Sequence, residues 1–302
     1  MTVVAISEEF FELIPPDAKL ECLGGDCTWS EGPVWVRAAE AVLWSDIPNN
    51  RIMKWSEDSG VEVFDTDVEF TNGHTLDRDG TVVSCSHGHR RIERRTLGGT
   101  VVPIVDSFQG HRLNSPNDVI VKSDGTIWFT DPPYGIASDH EGHAAPSELD
   151  ANYVFCFDPS ANELVAVTDQ VEEPNGLAFS PDESILYVSD TSAALRDDGS
   201  GNHQIVAFDV ADGPSLSPRG VLAVVEPGVP DGFRVAETGH IITSSESGLQ
   251  VFTPDGELIG RIDLPETTSN CVFGGPDGQT LYITASTSLY RIQMNVQGAV
   301  KA

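Results

Sequence analysis

Six residues with an oxygen-bearing side chain, Glu31, Asn72, Asn117, Asn175, Asp231 and Asn270, each head a short segment that resembles the other five. Carboxylate and amide oxygens are the ligands that a hard divalent cation such as calcium takes. Glu31 and Asp231 would balance a 2+ charge, while amides such as Asn117 and Asn175 would add ligands without adding charge. The ion would then keep enough Lewis acidity to polarise a bound carbonyl. A local explanation competes for the amides, because Asn and Asp often hydrogen-bond the backbone of turns. It fails for Glu31: Glu is a poor turn residue, and a buried carboxylate facing another needs a cation to offset the repulsion.

The elements that would position these oxygens are legible as a repeat. Six openings, Glu31-Gly-Pro-Val-Trp35, Asn72-Gly-His-Thr-Leu76, Asn117-Asp-Val-Ile-Val121, Asn175-Gly-Leu-Ala-Phe179, Asp231-Gly-Phe-Arg-Val235 and Asn270-Cys-Val-Phe273, each precede a closing segment. The closings are Leu43-Trp-Ser-Asp46, Val83-Ser-Cys-Ser86, Trp128-Phe-Thr-Asp131, Tyr187-Val-Ser-Asp190, Ile242-Thr-Ser-Ser245 and Tyr282-Ile-Thr-Ala285, and each ends 14 or 15 residues after its opening begins. Turn pairs such as Asp79-Gly80, Asp124-Gly125 and Asp277-Gly278 lie between, so each unit begins as an antiparallel hairpin. A third alternating run follows every closing, for example Tyr153-Val-Phe-Cys-Phe157 and Gln204-Ile-Val-Ala-Phe208, and a fourth strand before the next opening completes a propeller blade.

The reading is therefore an all-β, six-bladed β-propeller of four-stranded antiparallel blades, spanning residues 1–302 as one domain. A β-sandwich would share the Gly- and Pro-rich punctuation but has no need of so regular a register. A short helix is expected over Ser7–Leu13. A strand over Lys19–Leu23 is expected to pair with the last blade and close the ring, removing free sheet edges. Openings start, and closings end, at one face of such a ring. The two longest connections, Pro132–Asn152 and Thr191–His203, should overhang that mouth.

Secondary candidates follow from this placement. His74 lies in the second opening, where it could face the tunnel as a base or a substrate contact. His87, just past a closing, should sit at the mouth, and Tyr134 at the base of the first long loop should line the pocket. His140, Glu141 and His143 in that loop are too closely spaced for a second metal site and are expected to form a solvated lid.

The bulk properties narrow the class of partner. Seventeen basic residues against 47 acidic ones give a formal charge of −30, a field that repels phosphate backbones and anionic membranes. No nucleic-acid or membrane partner is expected, and there is no signal-like or membrane-spanning apolar run. Five cysteines without a C-x-x-C pair fit a reducing compartment, so a cytoplasmic location is expected.

Several of the segments together resemble one family. Trp29-Ser-Glu-Gly-Pro-Val-Trp35, Asn114-Ser-Pro-Asn-Asp-Val119, Trp128-Phe-Thr-Asp-Pro-Pro-Tyr-Gly135, Pro174-Asn-Gly-Leu-Ala-Phe-Ser-Pro-Asp182 and Pro230-Asp-Gly-Phe233 are similar to segments of the SMP-30/gluconolactonase/luciferin-regenerating-enzyme family. The resemblance covers roughly residues 8–292 and implies a six-bladed propeller with one catalytic divalent metal and lactonase activity on aldonolactones. Residue by residue, Glu31, Asn175 and Asp231 match the family's metal ligands, and Asn117 matches an Asn that either completes the metal shell or contacts substrate. The expected function is hydrolysis of a small-molecule sugar lactone, with Asp231 as general base and Asn117, His74, His87 and Tyr134 as substrate contacts. Calcium is the first expectation for the ion, with manganese, zinc and ferrous iron as alternatives. Organophosphate or aryl-ester hydrolysis on the same metal site, and a non-catalytic binding scaffold, are the rival readings.

Overall fold

The computed structural model describes residues 2–96, 98–196 and 198–299. Among the described residues six antiparallel blade sheets follow one another along the chain, and a two-stranded ribbon, Ser107–Phe108 with His111–Arg112, lies between the second and third. The first blade comprises Ser30–Val36, Ala41–Asp46, Arg51–Ser56 and Gly60–Thr66, and the second Thr71–Leu76, Val82–Ser86, Arg91–Arg95 and Val101–Val105. The third comprises Val119–Val121, Ile127–Asp131, Tyr153–Asp158 and Glu163–Thr168, and the fourth Pro174–Phe179, Ile185–Asp190, Gln204–Val210 and Leu216–Val224. The fifth is built from Phe233–Val235, Ile241–Ser245, Gly248–Phe252 and Leu258–Asp263. In the sixth, Thr268–Gly274, Thr280–Ala285 and Ser288–Gln293 are completed by Glu21–Gly25 from the N-terminal side of the chain.

The core lies between blades rather than inside any one of them. Alternate residues of a strand point to opposite faces of its sheet. Leu186 and Val188 accordingly join a cluster with Trp128 and Cys156 of the third blade, while Tyr187 between them joins Phe233 and Val235 of the fifth. Both faces of an interior blade are thereby buried, which is why the central strands read as nearly continuous apolar runs. The interface of the sixth and first blades is aromatic, with Trp35 stacked on Tyr282 at 5.5 Å between ring centroids.

The expected closing strand is present but displaced by two residues, to Glu21–Gly25, where Glu21 pairs with Arg291 and Cys22 with Tyr290. The expected helix is shorter, Phe10–Leu13. An element that the sequence pattern did not announce is Val3–Ala5, which adds a fifth strand to the fifth blade along Leu258–Asp263. The N-terminal segment thus fastens both the fifth and the sixth blades. All five cysteines are free, and among the described residues no helix is long and apolar enough to cross a membrane.

Phe10 locks this segment. It is fully buried against Gly260, where an added Cβ would lie 2.4 Å from the Phe10 ring, so flat backbone and aromatic ring are in direct contact. Replacing Phe10 by Ala is expected to lower the unfolding free energy by about 3–5 kcal/mol, as measured by the shift of a denaturant midpoint.

Candidate functional site at the tunnel mouth

In four of the six blades the candidate residue lies at an irregularity of the innermost strand, whereas Asn117 and Asp231 lie just ahead of the regularly paired Val119–Val121 and Phe233–Val235. The ladder register shifts between Glu31 and Val34, between Thr71 and His74, between Pro174 and Leu177, and between Thr268 and Asn270. An extra residue in one strand re-aims the neighbouring side chains, and here it does so at the head of the opening. The Gly after the candidate oxygen is required by a close approach, not by a turn. Gly32 has φ +58°, and a Cβ there would lie 2.1 Å from the Asn72 carbonyl oxygen. At Gly176 a Cβ would lie 2.5 Å from the Asp231 carbonyl oxygen. The Asn-Gly and Glu-Gly pairs therefore mark contacts from one blade to the next.

Hydroxyl groups near the ends of the closings hold these contacts. Ser45 Oγ donates to the Asn72 carbonyl at 2.8 Å, Thr130 Oγ1 to the Asn175 carbonyl at 2.6 Å, and Ser189 Oγ to the Asp231 carbonyl at 2.8 Å. Ser189 Oγ also accepts the Gly176 N–H at 2.7 Å, tying the fourth and fifth openings to one atom. These residues were not among the sequence candidates, although the penultimate residue of the closing is Ser or Thr in five of the six units. The Asp that ends three closings is structural: Asp46 accepts the N–H of Thr28 at 2.9 Å, Asp131 that of Asn114 at 2.7 Å, and Asp190 that of Glu172 at 3.1 Å.

The six oxygen-bearing residues are not equivalent. Glu31, Asn72, Asn117, Asn175 and Asn270 are buried and Asp231 is partly buried. Asn270 donates its amide to Glu31 Oε2 at 3.0 Å and accepts the Cys271 N–H with its own oxygen, so its oxygen is already used. Asn72 donates toward His87 Nε2 at 3.3 Å. Glu31 Oε1 has no partner among the described residues, and Glu31 Oε2 is held by the Gly32 N–H. Burial raises the Glu31 carboxyl well above the ordinary range, and the charges of Asp231 and then Asp118 push it further. Asp231 is raised as well, by burial first, then by Glu141, while a hydrogen bond from Asn175 opposes the shift.

A buried acid, Glu31, with an orphaned oxygen and with its ionisation disfavoured by the charge of the partly buried Asp231, fits a bound dication, which would supply the missing partner and counter-charge. Among the described residues no three His, Cys, Asp or Glu side chains form a conventional ligand cluster. The donor set is two carboxylates plus neutral amides, and its all-oxygen chemistry suits calcium better than a thiophilic metal.

His74 is fully committed. Its Nε2 meets Ser45 Oγ at 2.8 Å and its Nδ1 meets Ser84 Oγ at 2.7 Å, and burial, aided by the Arg95 charge, lowers its pKa to about 3. With Arg234 it borders a cavity of about 920 Å³ walled by residues such as Val34, Leu76, Val121 and Ala178, at the hairpin end of the inner strands and away from the mouth. Between the two ends Arg234 Nη1 lies 3.7 Å from the buried Asp118 Oδ2.

His87 does lie at the mouth, as a pin. Its Nδ1 is 2.9 Å from the Glu141 carbonyl, which can only accept, so Nδ1 carries the proton and Nε2 faces the Asn72 amide. Burial lowers its pKa to about 4. Tyr134 begins the short helix Tyr134–Ala137, and its hydroxyl is bonded to Thr191 Oγ1, which also accepts from Asn175 Nδ2 at 3.3 Å. The two long connections thus meet above Asn175. The expected solvated lid is only partly so: His140 is exposed and His143 pairs with Glu69 at 3.0 Å, whereas Glu141 is half-buried and acts on Asp231.

A six-bladed propeller with an oxygen-lined mouth under two loops defines a class of small-molecule site on a rigid ring. Residues 29–287 match the model of the "SMP-30/Gluconolactonase/LRE-like region", and the chain belongs to that family. It is 32% identical to a gluconolactonase of Zymomonas mobilis, over 98% of this chain and 87% of that one. It is 29% identical to a pentonolactonase of Haloferax volcanii, over 86% of this chain and 82% of the relative. The solved structure of a gluconolactonase from Xanthomonas campestris superposes with a TM-score of 0.90 at 40% identity, covering 97% of this chain and 95% of the other.

Two outcomes are expected from this geometry. Gly32→Ala should cost roughly 2–4 kcal/mol, from left-handed backbone strain plus the clash with Asn72, read from denaturant unfolding. The second concerns His74, which is neutral in the folded chain down to about pH 3 but takes up a proton near the ordinary histidine value of 6.5 when unfolded. The unfolded state then binds more protons as pH falls between these values, so stability is full above about pH 6.5 and is lost on acidification toward pH 3. His74→Gln should flatten the fall in melting temperature across that window.

Proposed function

We propose that this chain is a divalent-metal-dependent lactonase that opens an aldonolactone, such as gluconolactone or xylonolactone, to the aldonic acid. The observation that carries this reading is the pair of carboxylates at the mouth, Glu31 buried and Asp231 partly buried, both held above the ordinary carboxylate range, beside amides and an unpartnered oxygen. The named activities of relatives that align over most of the chain support it.

Glu31, Asn175 and Asp231, with Asn117, would hold the ion, and calcium suits their oxygens best. When bound, such an ion supplies a Lewis acid for the lactone carbonyl. Asn117, whose side-chain amide carries no hydrogen bond among the described residues, is free to orient the substrate. Asp231 accepts the proton of the attacking water and returns it to the ring oxygen as the ester C–O bond breaks, so acid and alcohol both arise on one product. His87 takes no part in proton transfer: its one N–H is spent on the loop carbonyl, and it stays neutral at physiological pH.

Chelation should abolish hydrolysis of gluconolactone and xylonolactone, and restoring calcium, manganese, zinc or ferrous iron singly should show which ion recovers it. An aryl ester and a phosphotriester serve as comparison substrates. Lactone turnover by the chelated protein would sink the metal requirement, and faster turnover of the phosphotriester would move the chain to the rival hydrolase class. Asp231→Asn should lower kcat by about 10²–10⁴-fold, the usual contribution of a general base, with the fold retained by circular dichroism; a kcat within about tenfold of wild type would place the base elsewhere.

A further inference from the structure

We infer that two carboxylates outside the proposed ion shell, Glu141 and Glu173, make the site selective for polyhydroxylated, uncharged lactones by accepting hydrogen bonds from ring hydroxyls. This rests on the lactonase reading and specifies its substrate class. Glu141 is held from three directions. Its carbonyl accepts from His87, the neighbouring Gly142 packs so closely on Gly135 that a Cβ would lie 2.0 Å from the Gly135 carbonyl oxygen, and the His143 N–H donates to that same carbonyl at 3.0 Å. The loop therefore presents residue 141 in a fixed place. Its carboxylate makes no hydrogen bond among the described residues, and of the charges around Asp231 its own acts most strongly.

Glu173 is an independent observation on the other side of the mouth. It immediately precedes Pro174-Asn175, is 9% exposed, and its Oε2 has no partner among the described residues. Its backbone carbonyl accepts from the Thr191 N–H at 3.2 Å, and Thr191 in turn holds the Tyr134 hydroxyl. The Tyr134 hydroxyl lies within hydrogen-bonding reach of the Glu173 carboxyl, so Oε2 is the acceptor left over. A buried carboxylate oxygen without a donor is costly, and natural proteins rarely keep one without a use. Sugar-lactone hydroxyls are donors that would satisfy both acids. An unsubstituted lactone of the same ring size offers none and would leave them desolvated and unpaired, the arrangement that gives the sharpest rejection of a substrate lacking a hydroxyl. The same two charges would repel the aldonate anion once formed, favouring product departure.

The test compares kcat/KM of the metal-loaded wild type, E141Q and E173Q on glucono-δ-lactone and on δ-valerolactone, which has no hydroxyl. Each variant should lose about tenfold to a hundredfold on gluconolactone, mainly through KM, while δ-valerolactone is unchanged or improved. Equal losses on both substrates, or no loss on either, would overturn the inference. Calorimetric titration with gluconolactam, in which a ring amide replaces the ester, separates the two levels of the proposal. Wild-type binding that weakens in both variants supports the acceptor role even if no lactone is turned over, which would sink the lactonase reading alone. Equal lactam affinity in all three proteins, or none in the wild type, counts against the acceptor role itself.

Discussion

The placing of Glu31, buried, and Asp231, partly buried, in one mouth is the constraint around which the rest of the molecule is arranged. Removing two carboxylates from water within reach of each other's charge is unfavourable unless donors and a cation surround them. The surrounding structure supplies the donors: the Gly32 N–H and Asn270 amide for Glu31, the Asn175 amide for Asp231. What remains unsatisfied, Glu31 Oε1 above all, is the part of the shell that the fold leaves to an ion.

Holding such a pair in place requires a scaffold that cannot relax. The propeller provides it through contacts that pass from blade to blade, in which a hydroxyl on one closing strand carries the carbonyl of the next opening and a glycine lets the two backbones meet. Ser189 illustrates the economy of this device, since one side chain orients both Gly176 and Asp231. The clamp at the N-terminal side matters for the same reason. A ring held only by side-chain packing between the first and sixth blades could open there, and pairing of Glu21–Gly25 with Ser288–Gln293, reinforced by Val3–Ala5 on the fifth blade, prevents it.

The two long connections complete the site rather than merely shading it. His87 is the hinge of this arrangement: fixed in one tautomer, it ties the first loop to the second blade and so sets where Glu141 lies. Tyr134, Thr191 and Asn175 join the two loops to the fourth opening in one chain of hydrogen bonds. The far end is chemically different: apolar walls are mixed with charged groups such as Arg78, Lys122, Glu183 and Arg234, and the neutral His74 borders them.

From the residues alone came the six units, the shared mouth, the closing strand near residues 19–23 and the six candidate oxygens, because a repeat of 14 or 15 residues and an alternation of two are local patterns that a linear chain displays directly. Tertiary structure alone decided how those six differ. Asn270 is spent on Glu31, a partner 239 positions away, and nothing near residue 270 announces it. His74 and Glu141 exchanged their expected surroundings for the same reason: the inward His found two serines, one of them on another blade, and the loop Glu was turned inward by a histidine 54 positions earlier. Side chains meet across a ring according to strand register, bulges and loop paths, and those are set by the closure of the whole circle rather than by any neighbour in sequence.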